Sequence, residues 1–175
     1  HIPGHGRATV DSHKSLPVVD AVLGELNDVD FAPFRQISAT DWGRDIWAMA
    51  AHVVYSDLDP DFAASQSAFV THDIIRQNIG FKGVLLADDI SMQALSGTVA
   101  ERAVKTLDAG MDLTMHCNGN FDEMVEILDM LPMITDDALL RIKSAEDLRR
   151  QRAQDINEDT LLSEWIELVK EQDAA

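Results

Sequence analysis

Two adjacent carboxylates, Asp88 and Asp89, close the run Gly83-Val84-Leu85-Leu86-Ala87, and Ser91 and Met92 follow them. A short apolar run bounded by glycine fits a strand buried on both faces. In parallel α/β folds the loops at the C-terminal strand ends converge on one rim, where carboxylate chemistry would be placed. The plainer alternative is that Asp89 caps a following helix while Asp88 faces solvent. The other reactive stretch is the start of the chain, where His1, His5 and His13 fall within thirteen residues. The His-x-x-x-His spacing of His1 and His5 would put two metal ligands on one helical face. Pro3 and Gly4 lie between them and prevent a helix, so no metal site is expected. A loop is predicted for residues 1–13, and loops on a rigid scaffold often hold function.

A family resemblance enters at these residues. Ile74-Ile75-Arg76-Gln77-Asn78-Ile79-Gly80-Phe81-Lys82-Gly83, continued through Val84 to Met92, resembles the nucleophile segment of glycoside hydrolase family 3. Within that family it is most similar to the bacterial β-N-acetylglucosaminidases of peptidoglycan recycling. The start of the chain resembles the family segment Lys-His-Phe-Pro-Gly-His-Gly and its mobile Asp-Ser-His loop. His1, Pro3, Gly4, His5 and Gly6 match, Ile2 replaces Phe, and Asp11-Ser12-His13 follows. The lysine that should precede His1 is absent, and Ala87 stands where relatives usually carry Ser or Thr.

The resemblance implies roles for six residues. Asp88 would be the nucleophile, His13 the general acid/base and Asp11 its partner, with His1, His5 and Met92 against the sugar. The physics is compatible with the His13–Asp11 pairing. Imidazole titrates near neutrality, and a nearby carboxylate can orient the ring and favour the imidazolium that protonates a leaving oxygen. The implied reaction is retaining hydrolysis of a terminal β-linked N-acetylglucosamine through a glycosyl-aspartate, with cell-wall muropeptides as substrates. No metal or organic cofactor is required. Two rivals stand beside it: a phosphorylase on the same site, and an inactive half-barrel that serves as a binding or assembly module.

The composition limits the partners. With 31 acidic and 14 basic residues the formal charge is −17, which argues against nucleic acid or an anionic membrane surface. No apolar run approaches the roughly 20 residues of a membrane span. The single cysteine, Cys117, excludes an internal disulfide and suits a reducing cytoplasm, the expected location.

The elements that must position these residues read as strand–helix units. Val18, Val19, Val22, Leu23 and Leu26 suit one helical face, and Phe31, Phe34 and Ile37 a second short helix. A strand is predicted over residues 46–55 with His52 inside it, read either as a hydrogen-bonded core histidine or as a residue shaping the pocket. A helix over 65–78 leads to the Asp88 strand. A helix over 96–109 and a strand over 111–117 follow, with His116 and Cys117 at its end packing or bonding locally. From residue 122 the pattern is helical: one stripe to Leu131, then helices at 135–152 and 160–171, with Trp165 anchoring the last. Met124, Met130 and Met133 read as core.

Three such units make a piece of a parallel α/β fold, shorter than the roughly 250 residues of a complete TIM barrel. By the resemblance, residues 1–175 form the C-terminal half of a single (β/α)8 barrel domain, with a helical extension over about 135–175. The chain starts at His1 without an initiator methionine, so a preceding N-terminal half is expected as a partner.

Overall fold

The computed structural model describes residues 1–153 and 157–173. The chain is a mixed α/β structure built on parallel strands. The first elements are strand β1 (Val18–Val19), helix α1 (Leu23–Glu25), which widens into a π-type turn over Leu26–Asp30, and helix α2 (Ala32–Ser38). Strands β2 (Trp47–Ala50) and β3 (Val54–Tyr55) follow, then a π-helix (Val70–Asn78) and strand β4 (Val84–Asp89). The chain continues through helix α3 (Val99–Asp108), strand β5 (Leu113–Met115) and helices α4 (Phe121–Met130), α5 (Asp136–Arg152) and α6 (Glu158–Asp173).

β4 is the middle strand of the sheet β2-β4-β5, parallel to both neighbours. Its apolar run needs that place, because Val84, Leu85 and Ala87 are fully buried. The entry to β4 demands glycine. A Cβ on Gly83 would lie 2.1 Å from the Ile46 carbonyl oxygen, which accepts the Val84 N–H at 3.0 Å. Beneath the sheet, Ile75, Ile79 and Phe81 pack with Leu85, Phe31 and Tyr55 in the main core. A smaller cluster of Ile90, Ala100, Ala103 and Ile127 holds α3 and α4 together.

Asp112 is the fastening at the start of β5. Its carboxylate accepts from the Leu85 N–H at 2.9 Å, from Arg76 at 2.9 Å and from Arg141 Nη2 at 2.6 Å. One buried acid thus joins the π-helix, β4 and α5. Burial lowers the Arg76 guanidinium below its ordinary value, against the pull of Asp112.

Several elements differ from the sequence expectations. Val18 and Val19 form a strand, not a helix, and pair with Val54 and Tyr55 in a separate two-stranded sheet. The Pro17 carbonyl accepts the Val54 N–H at 2.9 Å, which starts this parallel pairing. The strand expected over 46–55 is interrupted at Ala51, where the N–H turns to the Ile2 carbonyl. α3 starts at Val99 because Thr98 and Glu101 form a capping box. The stripe on α4 is covered only at Ile127 and Leu131, while Leu128 is 74% exposed. Met124, Met130 and Met133 are exposed rather than core, and Trp165, expected to anchor the last helix, is 60% exposed. The sheet has two incompletely covered flanks. Trp47 on β2 is half exposed, and all of β5 is only partly buried. Among the described residues no helix is long and apolar enough to cross a membrane.

Candidate active site

The start of the chain runs along the open flank of β2. Ile2 is buried; its N–H donates to the Met49 carbonyl at 2.8 Å and its carbonyl accepts from Ala51 at 3.1 Å. These two bonds set His1 beside the end of β4. His1 Nε2–H donates to Asp88 Oδ2 at 2.9 Å, since a carboxylate can only accept. Asp88 Oδ1 accepts the Asp89 N–H at 2.8 Å. The His5 ring lies 5.4 Å from that of His1, tilted by 59°, and its Nε2 meets the hydroxyl of the buried Ser12 at 3.2 Å. His1 and His5 therefore spend their Nε2 atoms on Asp88 and Ser12. Among the described residues no group of three or more His, Cys, Asp and Glu side chains is arranged to hold a metal ion.

The loop that follows is anchored at its base. Tyr55 donates its hydroxyl proton to the Gly4 carbonyl, and Arg7 Nε donates to Asp30 at 2.7 Å. At its far side the loop turns on Asp11, whose Oδ1 accepts both the His13 N–H at 3.0 Å and the His13 Nδ1–H at 2.9 Å. Those two hydrogen bonds hold the Asp11 carboxyl below its ordinary range. Holding Nδ1–H on Asp11 leaves Nε2 as the ring atom able to exchange a proton. The His13 side chain is 77% exposed. The Gln93 N–H donates to the His13 carbonyl at 3.3 Å, tying this loop to the one that leaves β4.

Asp89, the second carboxylate, faces away from that chemistry. Its Oδ1 accepts from the N–H groups of Ser91 at 3.0 Å and Cys117 at 3.1 Å, and its Oδ2 from the Ser91 hydroxyl at 2.5 Å. Burial works to raise its carboxyl. The bonds from Ser91 and Cys117, with the nearby His116, outweigh burial and hold it below the ordinary value. Asp89 therefore clamps the exits of β4 and β5 instead of capping a helix. Met92 is buried, its carbonyl taken by Arg102 at 3.1 Å. His116 donates Nε2–H to Glu123 at 2.8 Å, the local bonding expected of it. Burial, with the charges of Asp89 and Asp88, pushes the Cys117 thiol up.

His52 is fully buried between β2 and β3. Its Nδ1 lies 2.6 Å from the Ser65 hydroxyl and its Nε2 3.0 Å from the Asp89 carbonyl. Ser12, Gln93 and Ser65 were not legible as partners. Each acts through a backbone group or a histidine distant in sequence, and no spacing signals that. The Asp89-Ile90-Ser91 turn is different, because an aspartate two residues before a serine is a recognised turn pattern.

Residues 1–145 match the family described as "Glycosyl hydrolase family 3 N terminal domain". The β-hexosaminidase of Pasteurella multocida (strain Pm70) is 31% identical over 171 residues, covering 95% of this chain and 48% of that protein. The solved β-N-acetylglucosaminidase of family 3 from Paenibacillus sp. str. FPU-7 superposes with a TM-score of 0.76 at 30% identity, over 89% of this chain and 31% of its own. NagZ from Neisseria gonorrhoeae, solved in complex with N-trifluoroacetyl-D-glucosamine, gives 0.68 at 36% identity, over 83% and 41%. The chain spans less than half the length of each of these three relatives. Because the match takes in the β4 stretch and the histidine-bearing loop alike, the chain belongs to glycosyl hydrolase family 3.

Proposed function

We propose that this chain carries the catalytic half of a retaining exo-β-N-acetylglucosaminidase. It removes terminal β-linked N-acetylglucosamine from cell-wall muropeptides. The observation that carries the reading is the Asp11–His13 contact on a loop tethered next to β4: a histidine with Nδ1–H fixed and Nε2 open is a proton donor and acceptor. The names of the relatives, β-hexosaminidase and β-N-acetylglucosaminidase, support the substrate class.

In this reading Asp88 attacks the anomeric carbon and the glycosidic C–O bond breaks. His13 Nε2–H protonates the departing oxygen. The glycosyl-aspartate then reacts with water, whose proton His13 takes back, and the sugar leaves with retained configuration. Most retaining enzymes use a second carboxylate for this proton transfer; here a His–Asp pair would do so. Asp11 holds the ring and stabilises the imidazolium. His1 hydrogen-bonds Asp88 and, with His5 and Met92, borders the sugar. The chain forms one domain, the C-terminal half of a (β/α)8 barrel with a helical tail from about residue 135, of which residues 154–156 and 174–175 lie outside the described residues. The preceding half supplies the remaining sugar contacts.

Mass-spectrometric mapping after treatment with a 2-fluoro-glycosyl inactivator tests the assignment, with the chain supplied together with that preceding half. Asp88→Ala should take no adduct, and Asp89→Ala should still take one at residue 88. An adduct on any other residue removes Asp88 from the role.

A further inference from the structure

β4 holds Asp88 just past the end of its ladder with β2, so on that side no strand pairing fixes the backbone. The pairing with β2 is registered only as far as Ala50 opposite Ala87. The pairing with β5 shifts register between Leu86 and Asp89, so Asp88 lies inside the irregularity. Carrying the β2 register forward by two residues brings His52 opposite Asp89. The structure shows that contact as a side-chain bond, His52 Nε2 to the Asp89 carbonyl at 3.0 Å.

The proton positions in this contact follow from chemistry. A carbonyl oxygen can only accept, so Nε2 carries the hydrogen. Burial lowers the pKa of the ring against the opposing pull of the Asp89 carbonyl and the charges of Asp88 and Asp89, with Arg102 acting in the same direction as burial. A neutral ring protonated at Nε2 has a bare Nδ1, which must accept. The Ser65 hydroxyl, 2.6 Å away and fully buried, is the donor. Ser65 is itself held, its N–H bound to the Ala51 carbonyl at 3.1 Å. Every polar atom of the ring is thus committed to one orientation.

We propose that His52, backed by Ser65, is a positioning residue that clamps the Asp89 carbonyl and so fixes the direction in which Asp88 presents its carboxylate. This inference rests on the reading of Asp88 as nucleophile. The Asp89 side chain grips Ser91 and Cys117, and the Ile90 N–H donates to the Met115 carbonyl at 2.9 Å. His52 supplies the restraint from the β2 side, where the ladder has ended. Without it the peptide unit after Asp89 is held from the β5 side alone, and Asp88 is attached one residue upstream.

Two measurements test this, again with the preceding half supplied. The first is the rate of covalent inactivation by a 2-fluoro-glycosyl fluoride, separated into affinity and maximal rate. A small misplacement of a reacting group costs on the order of 100-fold in rate. His52→Leu should therefore lower the maximal rate by about that factor with affinity little changed. His52→Gln, whose amide can donate to the same carbonyl, should recover most of the loss. Ser65→Ala, a smaller change in the core, should give an intermediate rate. Equal losses in the glutamine and leucine variants, or a loss confined to affinity, overturn the proposal.

The second measurement needs no turnover: the ring nitrogen spectrum of His52 by NMR. It should show a neutral ring protonated at Nε2 at neutral pH and above, with the Asp89 carbonyl resonance moving in His52→Leu and staying in His52→Gln. A ring protonated at Nδ1, or one titrating near the ordinary histidine value, overturns the clamp. If the unsubstituted protein takes no adduct at Asp88, the glycosidase reading fails, and with it the role given to the clamp. The spectrum then decides separately whether the clamp exists.

Discussion

The Gln93 N–H, five residues past Asp88, donates to the carbonyl oxygen of His13 at 3.3 Å. Among the described backbone hydrogen bonds this is the one that joins the loop carrying Asp11 and His13 to the loop leaving β4. The two proposed catalytic groups lie 75 positions apart in the sequence, and their separation in space depends on such tethers. Gln93→Pro deletes the donor without touching either side chain. It should lower turnover on substrates with poor leaving groups several-fold while the thermal midpoint stays within a few degrees. Unchanged kinetics would mean that the loop is held by its other anchors, Tyr55 to Gly4 and Arg7 to Asp30.

The Asp11–His13 pair predicts a dependence on the leaving group. An activated aryl glycoside needs little protonation, whereas a sugar or muropeptide alcohol needs a full proton. His13→Ala should slow the second class by about 100-fold or more and the first far less, in line with the usual contribution of general acid catalysis. Asp11→Ala should show the same bias in milder form, because the ring stays but loses its orientation. A comparison of kcat/KM across a series of leaving groups reads this directly. Equal losses on both classes would move His13 from proton transfer to binding. The same assays with and without phosphate, followed for sugar 1-phosphate, separate hydrolysis from phosphorolysis.

How far these residues could be read in advance follows their physics. The β4 run was legible because an all-apolar segment ending in two acids has few other places to go. The Asp11–His13 contact was legible through the family resemblance, since residues i and i+2 meet only if the loop turns and spacing does not show that it does. Which of Asp88 and Asp89 faces the site was not legible from alternation, since a strand buried on both sides gives no preference. The structure separates them by partners: Asp89 is consumed by Ser91 and Cys117, and Asp88 by His1 and the adjacent Asp89 N–H. The errors share another cause. Periodicity shows that Leu128 or Trp165 belongs to an apolar face, but not what covers that face. The break at Ala51 depended on Ile2, a residue 49 positions away whose pairing no local pattern could signal. The start of α3 was a different matter, because Thr98 and Glu101 carry a capping pattern that can be read directly.

Burial of His52 has a consequence for stability. Its folded pKa is depressed, chiefly by burial, so below the ordinary histidine value the unfolded chain binds a proton that the folded ring refuses. More protons on the unfolded state means that stability rises with pH. The contribution is present above about pH 6.5 and is lost as pH falls below it, by at most about 1.4 kcal/mol per pH unit for one proton. Urea midpoints measured at pH 8 and pH 5.5 should differ more in the unsubstituted chain than in His52→Gln. An identical pH dependence in the two proteins would show that burial does not depress the His52 pKa.

Asp112 gives the sharpest stability prediction away from the site. Its carboxylate is almost wholly buried between two arginines and also receives the Leu85 N–H. Removing one member of a buried ionic group costs about 3–5 kcal/mol, because the charges left behind stay desolvated. Asp112→Ala strands both Arg76 and Arg141 and should unfold the chain or lower its midpoint by many degrees. Arg149→Ala, on an exposed i,i+3 pair with Glu146, should leave stability nearly unchanged. Chemical denaturation of both variants makes the comparison, and a mild effect for Asp112→Ala would refute the account of the fastening.

The last prediction concerns the flanks of the sheet. β2 is met on its outer side only at Ala50, where Ile2 bridges to it, and Trp47 at its start stands half exposed. β5 offers Leu113, Thr114 and Met115, all partly exposed, on the other flank. Unpaired parallel strands with apolar side chains are templates for association. Within the proposed barrel both flanks would be covered by strands of the preceding half, which would also bring sugar contacts that spend binding energy on the transition state. Residues 1–175 expressed alone should therefore self-associate and turn over little substrate, although Asp88 and His13 are both present. The charge of −17 should slow association without mending either flank. Supplying the preceding segment in trans should restore a defined size and raise glycosidase turnover together. Light scattering and a kinetic assay on the same samples read both quantities. A monodisperse, fully active 175-residue monomer would show that these flanks need no partner and that the half-barrel reading is wrong.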